Sequence, residues 1–475
     1  MISTRTKNHR ASAPDRSRRP GARRPHVRRP VRIRGCAWIL LLLAVFSDCV
    51  SIRASDVDFQ GATHLMPFDE ETLQYHKTEP SGPVALLQKQ IERPLDPPSS
   101  AITDPRPPIP KWNFDHDFGY LPSLLQALGI PKSSQMLVFS KTSFQRERIS
   151  PTTPRALFFN DTVYVGFIPG APLLEVSMAD PKLGGVFYTV EQKAGDSPRF
   201  VRNDQCLECH ATSKTMGVPG HLMRSFATDE DGVVDLNNGA SLVTHRTPLA
   251  ERWGGWYVTG THGKQTHRGN LFGQEAFEHQ AKEPNYRGNL TDLSPFFDVS
   301  RYPSKGSDIV ALMVLEHQVH MHNFITRLRD ESELALHQYG HLDYLKNIVT
   351  AFLKYLLFVD EAPLTEPISG NPEFARWFEA QGPRDAQGRS LRQFDLKTRT
   401  FLYPCSYLIY SDAFDALPDP LKRLVWNRLL AVLDGKDPDP DFRKLSPQSR
   451  LAIREILQGT KHDLPQAWGS SREAQ

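Results

Sequence analysis

Residues 155–192, RALFFNDTVYVGFIPGAPLLEVSMADPKLGGVFYTVEQ, decide how this chain is read. Short runs rich in Val, Phe and Tyr are punctuated by turn residues such as Asn160-Asp161 and Pro169-Gly170. β-Branched and aromatic side chains fit a pleated, half-buried surface, and the turn residues reverse the chain between runs. The spacing predicts a small antiparallel sheet. Upstream, Met136 to Phe139 reads as a further strand and Leu121 to Leu128 as a short helix. Downstream, HLMRSFATDEDGVVD (221–235) reads as a hairpin turning at Asp231-Gly232, and RWGGWYVTGTHG (252–263) as a strand flanked by glycines.

From Asp308 onward the period changes. DIVALMVLEHQVHMHNFITRL (308–328) and HLDYLKNIVTAFLKYLLF (341–358) have the spacing and length of helices. Further helices are expected at Asn371 to Ala380, Ser406 to Phe414, Pro420 to Leu433 and Pro447 to Leu457. The fold class is therefore α+β, a small antiparallel sheet region followed by a mainly α-helical C-terminal region. The expected divisions are a leader (1–55), a Pro-rich extended arm or linker (56–111) with a helical patch at Val84 to Ile91, an α+β domain (112–305) and a helical region packing on it (306–475).

The leader sets the compartment. Arg18, Arg19, Arg23, Arg24, Arg28, Arg29, Arg32 and Arg34 precede CAWILLLLAVFSDCVSIRAS (36–55). A basic stretch, a short apolar stretch and a small-residue exit make a secretory signal, with cleavage expected near Ala54 or Ser55. An uncleaved N-terminal anchor is the alternative, and both place the body outside the cytoplasm. Phe46, Ser47 and Asp48 before Cys49 are wrong for a lipobox, which wants small residues. The chain of 475 residues has a formal charge of +3 only because of this leader; the remainder is acidic, which speaks against nucleic acid as a partner.

Of five cysteines, Cys36 and Cys49 lie in the leader, leaving Cys206, Cys209 and Cys405. Three cysteines, two of them separated by only two residues, do not make a disulfide framework. Cys206-Leu207-Glu208-Cys209-His210 instead has the spacing for one covalent haem c. Two residues between the thiols let one helical turn present both sulfurs to the same edge of the macrocycle, and the adjacent imidazole then falls beneath the iron. Zinc would need further ligands at finger-like spacing, and Cys405 is nearly two hundred residues away.

The distal side decides the chemistry. Met216 lies on too short a tether, at most ~20 Å, to round the ring easily, and Met223 reads equally well as a strand residue. His317 and His320 share a helix face with Met313, Met321 and Phe324 nearby, so His317 is the distal candidate; a plain core helix is the competing reading. His262 and His267 lie in a glycine-rich loop. Arg224, Arg246 and Arg252 are expected near propionates, with Trp253, Trp256 and Tyr257 as aromatic walls; among these Arg224, Arg252 and Trp256 are the cofactor-binding candidates.

With CLECH, VPGHLMRS (218–225), THRTPLAERWGGWYVTGTHG (244–263), ALMVLEHQ (311–318) and RTFLYPCSYLIY (399–410), the chain resembles a planctomycete-type family of secreted, single-haem c-type cytochrome-domain proteins over roughly residues 140 to 460. The resemblance implies haem binding and electron transfer. The lack of a second CxxCH sets it apart from dihaem peroxidases. Three functions fit: an extracytoplasmic electron carrier with a redox partner protein; an oxidoreductase acting on a small molecule over an open haem face, with His262, His267 or His320 as acid or base; and a haem-based sensor or binding module.

Overall fold

The computed structural model describes Phe68 and residues 72–92, 112–195 and 197–469. The leader expectations, from the arginine run to the cleavage site, lie outside the described residues, as does most of the proline-rich stretch. The described residues belong to one compact unit that begins at Leu65.

The α+β expectation is met. The sheet is an antiparallel meander with strands in sequence order: β1 (Met136–Val138), β2 (Arg155–Phe159), β3 (Val163–Phe167), β4 (Leu173–Asp180), β5 (Gly184–Glu191) and β6 (Phe200–Arg202). A separate hairpin joins β7 (Arg224–Thr228) to β8 (Val234–Leu242). It turns at Gly232, whose φ of +82° suits glycine.

Side chains alternate across the sheet, so each strand feeds two environments. One face carries Leu174, Val176 and Met178 of β4 with Val186 and Val190 of β5, covered by α1 (Pro83–Ile91) and α2 (Leu121–Ala127). Within the stretch read as an extended arm, α1 is thus docked: Ser81 and Gly82 donate backbone N–H bonds to Asp180, and Val84 and Leu87 are buried. The other face splits in two. Met136, Val138, Phe159 and Tyr164 of β1 to β3 join the helical core. At the β4–β5 end it presents Glu175, Ser177 and Phe187, and there the CLECH segment sits.

After β6 come α3 (Leu207–His210) and α4 (Gln274–Lys282). The helical half is built on α5 (Ile309–Tyr339), 31 residues long, surrounded by α6 (Lys346–Leu356), α7 (Pro372–Ala380), α8 (Asp412–Asp415), α9 (Asp419–Leu433) and α10 (Pro447–Thr460). Asp308 caps α5 by accepting from the Ala311 N–H at 2.8 Å, and Gly340 ends it with a φ of +70°. The expected helix at Ser406 to Phe414 is a 3-10 turn, Tyr407–Tyr410, followed by α8, because Ser411 interrupts the run by capping α8. The segment 252–263 is not a regular strand. Trp253 and Gly255 take positive φ and break it, leaving isolated bridges from Trp256 to Val138 and from Thr259 to Asp308.

Candidate functional site

Asn203 starts the CLECH segment by accepting from the Gln205 N–H at 3.1 Å. The chain then winds through a 3-10 turn, Asp204–Cys206, directly into α3. Leu207 drops into the sheet core and fixes the rotation of this short helix. Cys209 is consequently exposed and Cys206 partly exposed, and both are free thiols. Burial, followed by the Glu175 carboxylate, pushes the Cys206 thiol up to about 11. It is a protonated thiol at neutral pH, not a thiolate.

His210 closes the motif. Its Nδ1 lies 2.9 Å from the carbonyl oxygen of Gly220, and its ring packs on Phe187 of β5 with centroids 4.8 Å apart. A carbonyl only accepts, so Nδ1 carries the proton and Nε2 the lone pair. Among the described residues Nε2 has no hydrogen-bond partner. Burial holds the imidazole below its ordinary pKa, with the Gly220 bond opposing, so the ring is neutral near pH 7.

Gly220 belongs to the VPGH segment, which is clamped from both sides. Gly185 of β5 donates to the Pro219 carbonyl at 2.7 Å, and a Cβ on Gly185 would stand 2.8 Å from the Gly220 nitrogen. From the helical side, Asn323 of α5 accepts from the His221 N–H at 2.9 Å and donates to the His221 carbonyl at 2.6 Å. The His221 ring reaches Ser177 of β4 at 2.9 Å and packs on Tyr164, centroids 4.4 Å apart. Sheet and long helix thus both hold the carbonyl that orients His210.

Beside the motif, a cleft of ≈ 380 Å³ opens between the 141–147 loop and the β7–β8 hairpin, with Lys141, Arg224 and an Arg146–Glu147 pair among apolar Phe226, Val233 and Leu236. Val233 and Leu236 are 48% and 70% exposed. The Arg224 guanidinium lies over the Phe226 ring and within electrostatic reach of Cys209. Gln145 and Ser143 in the cleft loop bond Glu175, whose charge also reaches Cys206 and His210. Cleft and motif are therefore neighbours.

These residues fit a covalent haem. Two accessible thiols on one turn and a neutral imidazole with a free, oriented nitrogen are the donor set it requires, and apolar surface with cations nearby suits the ring and its propionates. Among the described residues no three His, Cys, Asp or Glu side chains converge as a metal-binding group. Thioether attachment needs none, since the sulfurs bond to carbon.

Three expected residues lie elsewhere. His317 is fully buried, with Nδ1 3.0 Å from His245 Nδ1, Nε2 2.7 Å from Ser406 Oγ, and its ring stacked on Tyr355 and Phe358. A distal ligand needs a free nitrogen, so His317 is corrected to a core residue. Its helix is buried on every side from Ile309 to Val319, and the Met-His-Phe face meets protein: Met313 and Met321 are fully buried. Arg252 is also core, paired with Glu316 and bonded to the carbonyls of Thr247 and His245. Trp256 is buried and donates to the Arg224 carbonyl at 2.9 Å, so it supports β7 from within. Arg224 alone among the three cofactor candidates beyond the motif stays near it.

Gly220, His221, Asn323 and Glu175 form the surroundings that sequence reasoning missed. The VPGH string stood out in the sequence without a role, and the sequence signal for the other two was absent: Asn323 and Glu175 lie more than thirty residues from the motif. No protein-family model, curated protein or solved structure matches this chain.

Proposed function

We propose that this protein is an extracytoplasmic c-type cytochrome with one covalent haem, acting in electron transfer. The observation that carries this reading is His210, whose Nδ1 is tied to the Gly220 carbonyl while Nε2 stays free beside two unpaired thiols. Cys206 and Cys209 would hold the haem vinyl carbons, and His210 Nε2 the iron. When bound, the group supplies an iron that cycles between ferrous and ferric states. The chain's own contribution is to keep His210 neutral and fixed in rotation, to bury one side of the ring edge on Phe187, and to offer Arg224 and the neighbouring cations to negative charge at the cleft. The partner is a redox protein reached through the exposed apolar and cationic surface of that cleft. The basic leader and apolar stretch support the compartment, since c-type haem is attached outside the cytoplasm.

A second reading, a haem oxidoreductase with an open distal face, is favoured by one observation: both nitrogens of His317 are engaged, which removes the best distal donor. Expression with a c-type haem assembly system tests both. The first reading requires a covalent haem stain that disappears in Cys206→Ala/Cys209→Ala, and a low-spin ferrous spectrum unchanged by carbon monoxide. No stain overturns haem binding; a high-spin ferric band with rapid carbon monoxide binding selects the oxidoreductase.

A further inference from the structure

The face of the sheet that carries Ser177 and Phe187 beneath the CLECH turn also carries an ion pair, Glu175 of β4 with Arg155 of β2. β3 runs between them. Its residue paired with Glu175 is Gly166, which has no side chain to stand in the way, so the guanidinium reaches across. Each side chain is only 19% exposed, and a pair so far out of water is weakly screened. The carboxylate is also fastened to the cleft loop: Glu175 Oε1 accepts from Ser143 Oγ, the Gln145 N–H and Gln145 Nε2, each at 3.3 Å. Its charge is thereby held in one place.

That place is beside the motif. Glu175 stands two residues from Ser177 on one strand face, a step of ~7 Å. Ser177 bonds the His221 ring at 2.9 Å and is paired with Phe187, whose ring lies 4.8 Å from that of His210. Behind burial, which acts first on both groups, the Glu175 charge opposes ionisation of the Cys206 thiol. On His210 the two charges act in opposite senses, Arg155 against the proton and Glu175 for it.

We propose that the Glu175–Arg155 pair is the positioning element that sets the electrostatic potential at the CLECH turn, and through it the reduction potential of the iron that His210 would hold. Ferric iron carries one positive charge more than ferrous, so a fixed carboxylate nearby favours the oxidised form and a fixed guanidinium the reduced one. The proposal rests on the haem reading for the potential, whereas the charge at Cys206 is present in the haem-free chain as well. There a carboxylate slows thiol chemistry, because the thiolate is the reacting form.

Two measurements test it. In the haem-free full chain, iodoacetamide labelling of Cys206, with Cys209 as the internal reference, should be roughly twofold or more faster in Glu175→Gln. In the haem-loaded protein, redox titration should show a raised potential in Glu175→Gln and a lowered one in Arg155→Met, with Arg155→Lys restoring it towards that of the parent. Gln145→Ala loosens the loop but keeps the charge, so it should move neither readout. The two Arg155 variants keep the test open if Glu175→Gln does not fold. Potentials that stay put or shift in the same direction, or a Gln145→Ala effect as large as that of Glu175→Gln, would overturn the proposal. If the parent protein takes up no covalent haem, the haem reading fails and the Cys206 rate alone decides: an unchanged rate in Glu175→Gln rejects the pair as the source of the potential at the turn.

Discussion

The Nδ1 of His210 lies 2.9 Å from the carbonyl oxygen of Gly220, ten residues further along the chain. That one bond fixes the tautomer, aims Nε2 outward and ties the CLECH turn to a segment held by both the sheet and α5. The first prediction concerns this segment. A Cβ on Gly220 would run into Asn323 Oδ1, whose amide is pinned by two bonds to His221. Gly220→Ala should lose about 1–3 kcal/mol of stability, the usual cost of overpacking. Urea denaturation measures it, and a loss below about 0.5 kcal/mol, within the range of a neutral surface change, would contradict the clamp.

Asn323→Ala removes both partners of the His221 backbone. Buried donors and acceptors left unmet cost about 1–3 kcal/mol each, so a total of roughly 2–4 kcal/mol is expected, the upper part being relieved by relaxation. If a haem is attached, its reduction potential should also move, because the Gly220 carbonyl polarises His210. An unchanged potential would show that α5 does not act on His210.

If a haem is attached, His317→Ala should leave its optical spectrum unchanged, while costing about 2–4 kcal/mol in stability, from two lost hydrogen bonds and a buried cavity. A low-spin spectrum turning high-spin in this variant would restore His317 as an iron ligand and refute its placement in the core.

Arg252 and Glu316 form a pair that is almost wholly out of water. Arg252→Met alone strands the carboxylate and should cost about 3–5 kcal/mol, whereas Arg252→Met/Glu316→Leu should recover much of it. Thermal unfolding of the three proteins decides; a double variant no better than the single would mean that Trp253 and the backbone bonds, rather than charge, dominate.

Burial pushes the Asp308 carboxyl from 3.8 to about 7, against the opposing N–H bonds of Asn371 and Ala311. An acid whose folded pKa is raised binds more protons folded than unfolded, so its contribution is present below the unfolded value and lost as pH rises through the folded one. Stability should therefore decline between about pH 4 and pH 7 on account of this group. Asp308→Asn should flatten that part of the profile; an identical slope in the variant would assign the decline to other groups.

Much of the fold was legible in the sequence because it is written in local patterns. The Val-, Phe- and Tyr-rich runs and their turn residues in 155–192 match β2 to β5 closely, since β3 and β5 are buried on both faces and select apolar side chains along nearly their whole length. The helical spacing after Asp308 was equally plain. Segment 252–263 misled because its β-type residues are interrupted by Trp253 and Gly255 at positive φ, a backbone choice that packing imposes and composition does not announce.

The sequence by itself determined the α+β class, the CxxCH spacing of Cys206, Cys209 and His210, and the basic, apolar character of the leader. Tertiary structure alone decided which distant groups surround them. Only folding brings the Gly220 carbonyl to His210, sets Asn323 behind it, leaves Arg224 at the cleft, and withdraws His317, Arg252 and Trp256 into the core. The physical reason is that a CxxCH motif is satisfied within one helical turn, whereas hydrogen-bond satisfaction of buried histidines and arginines depends on partners tens to hundreds of residues away.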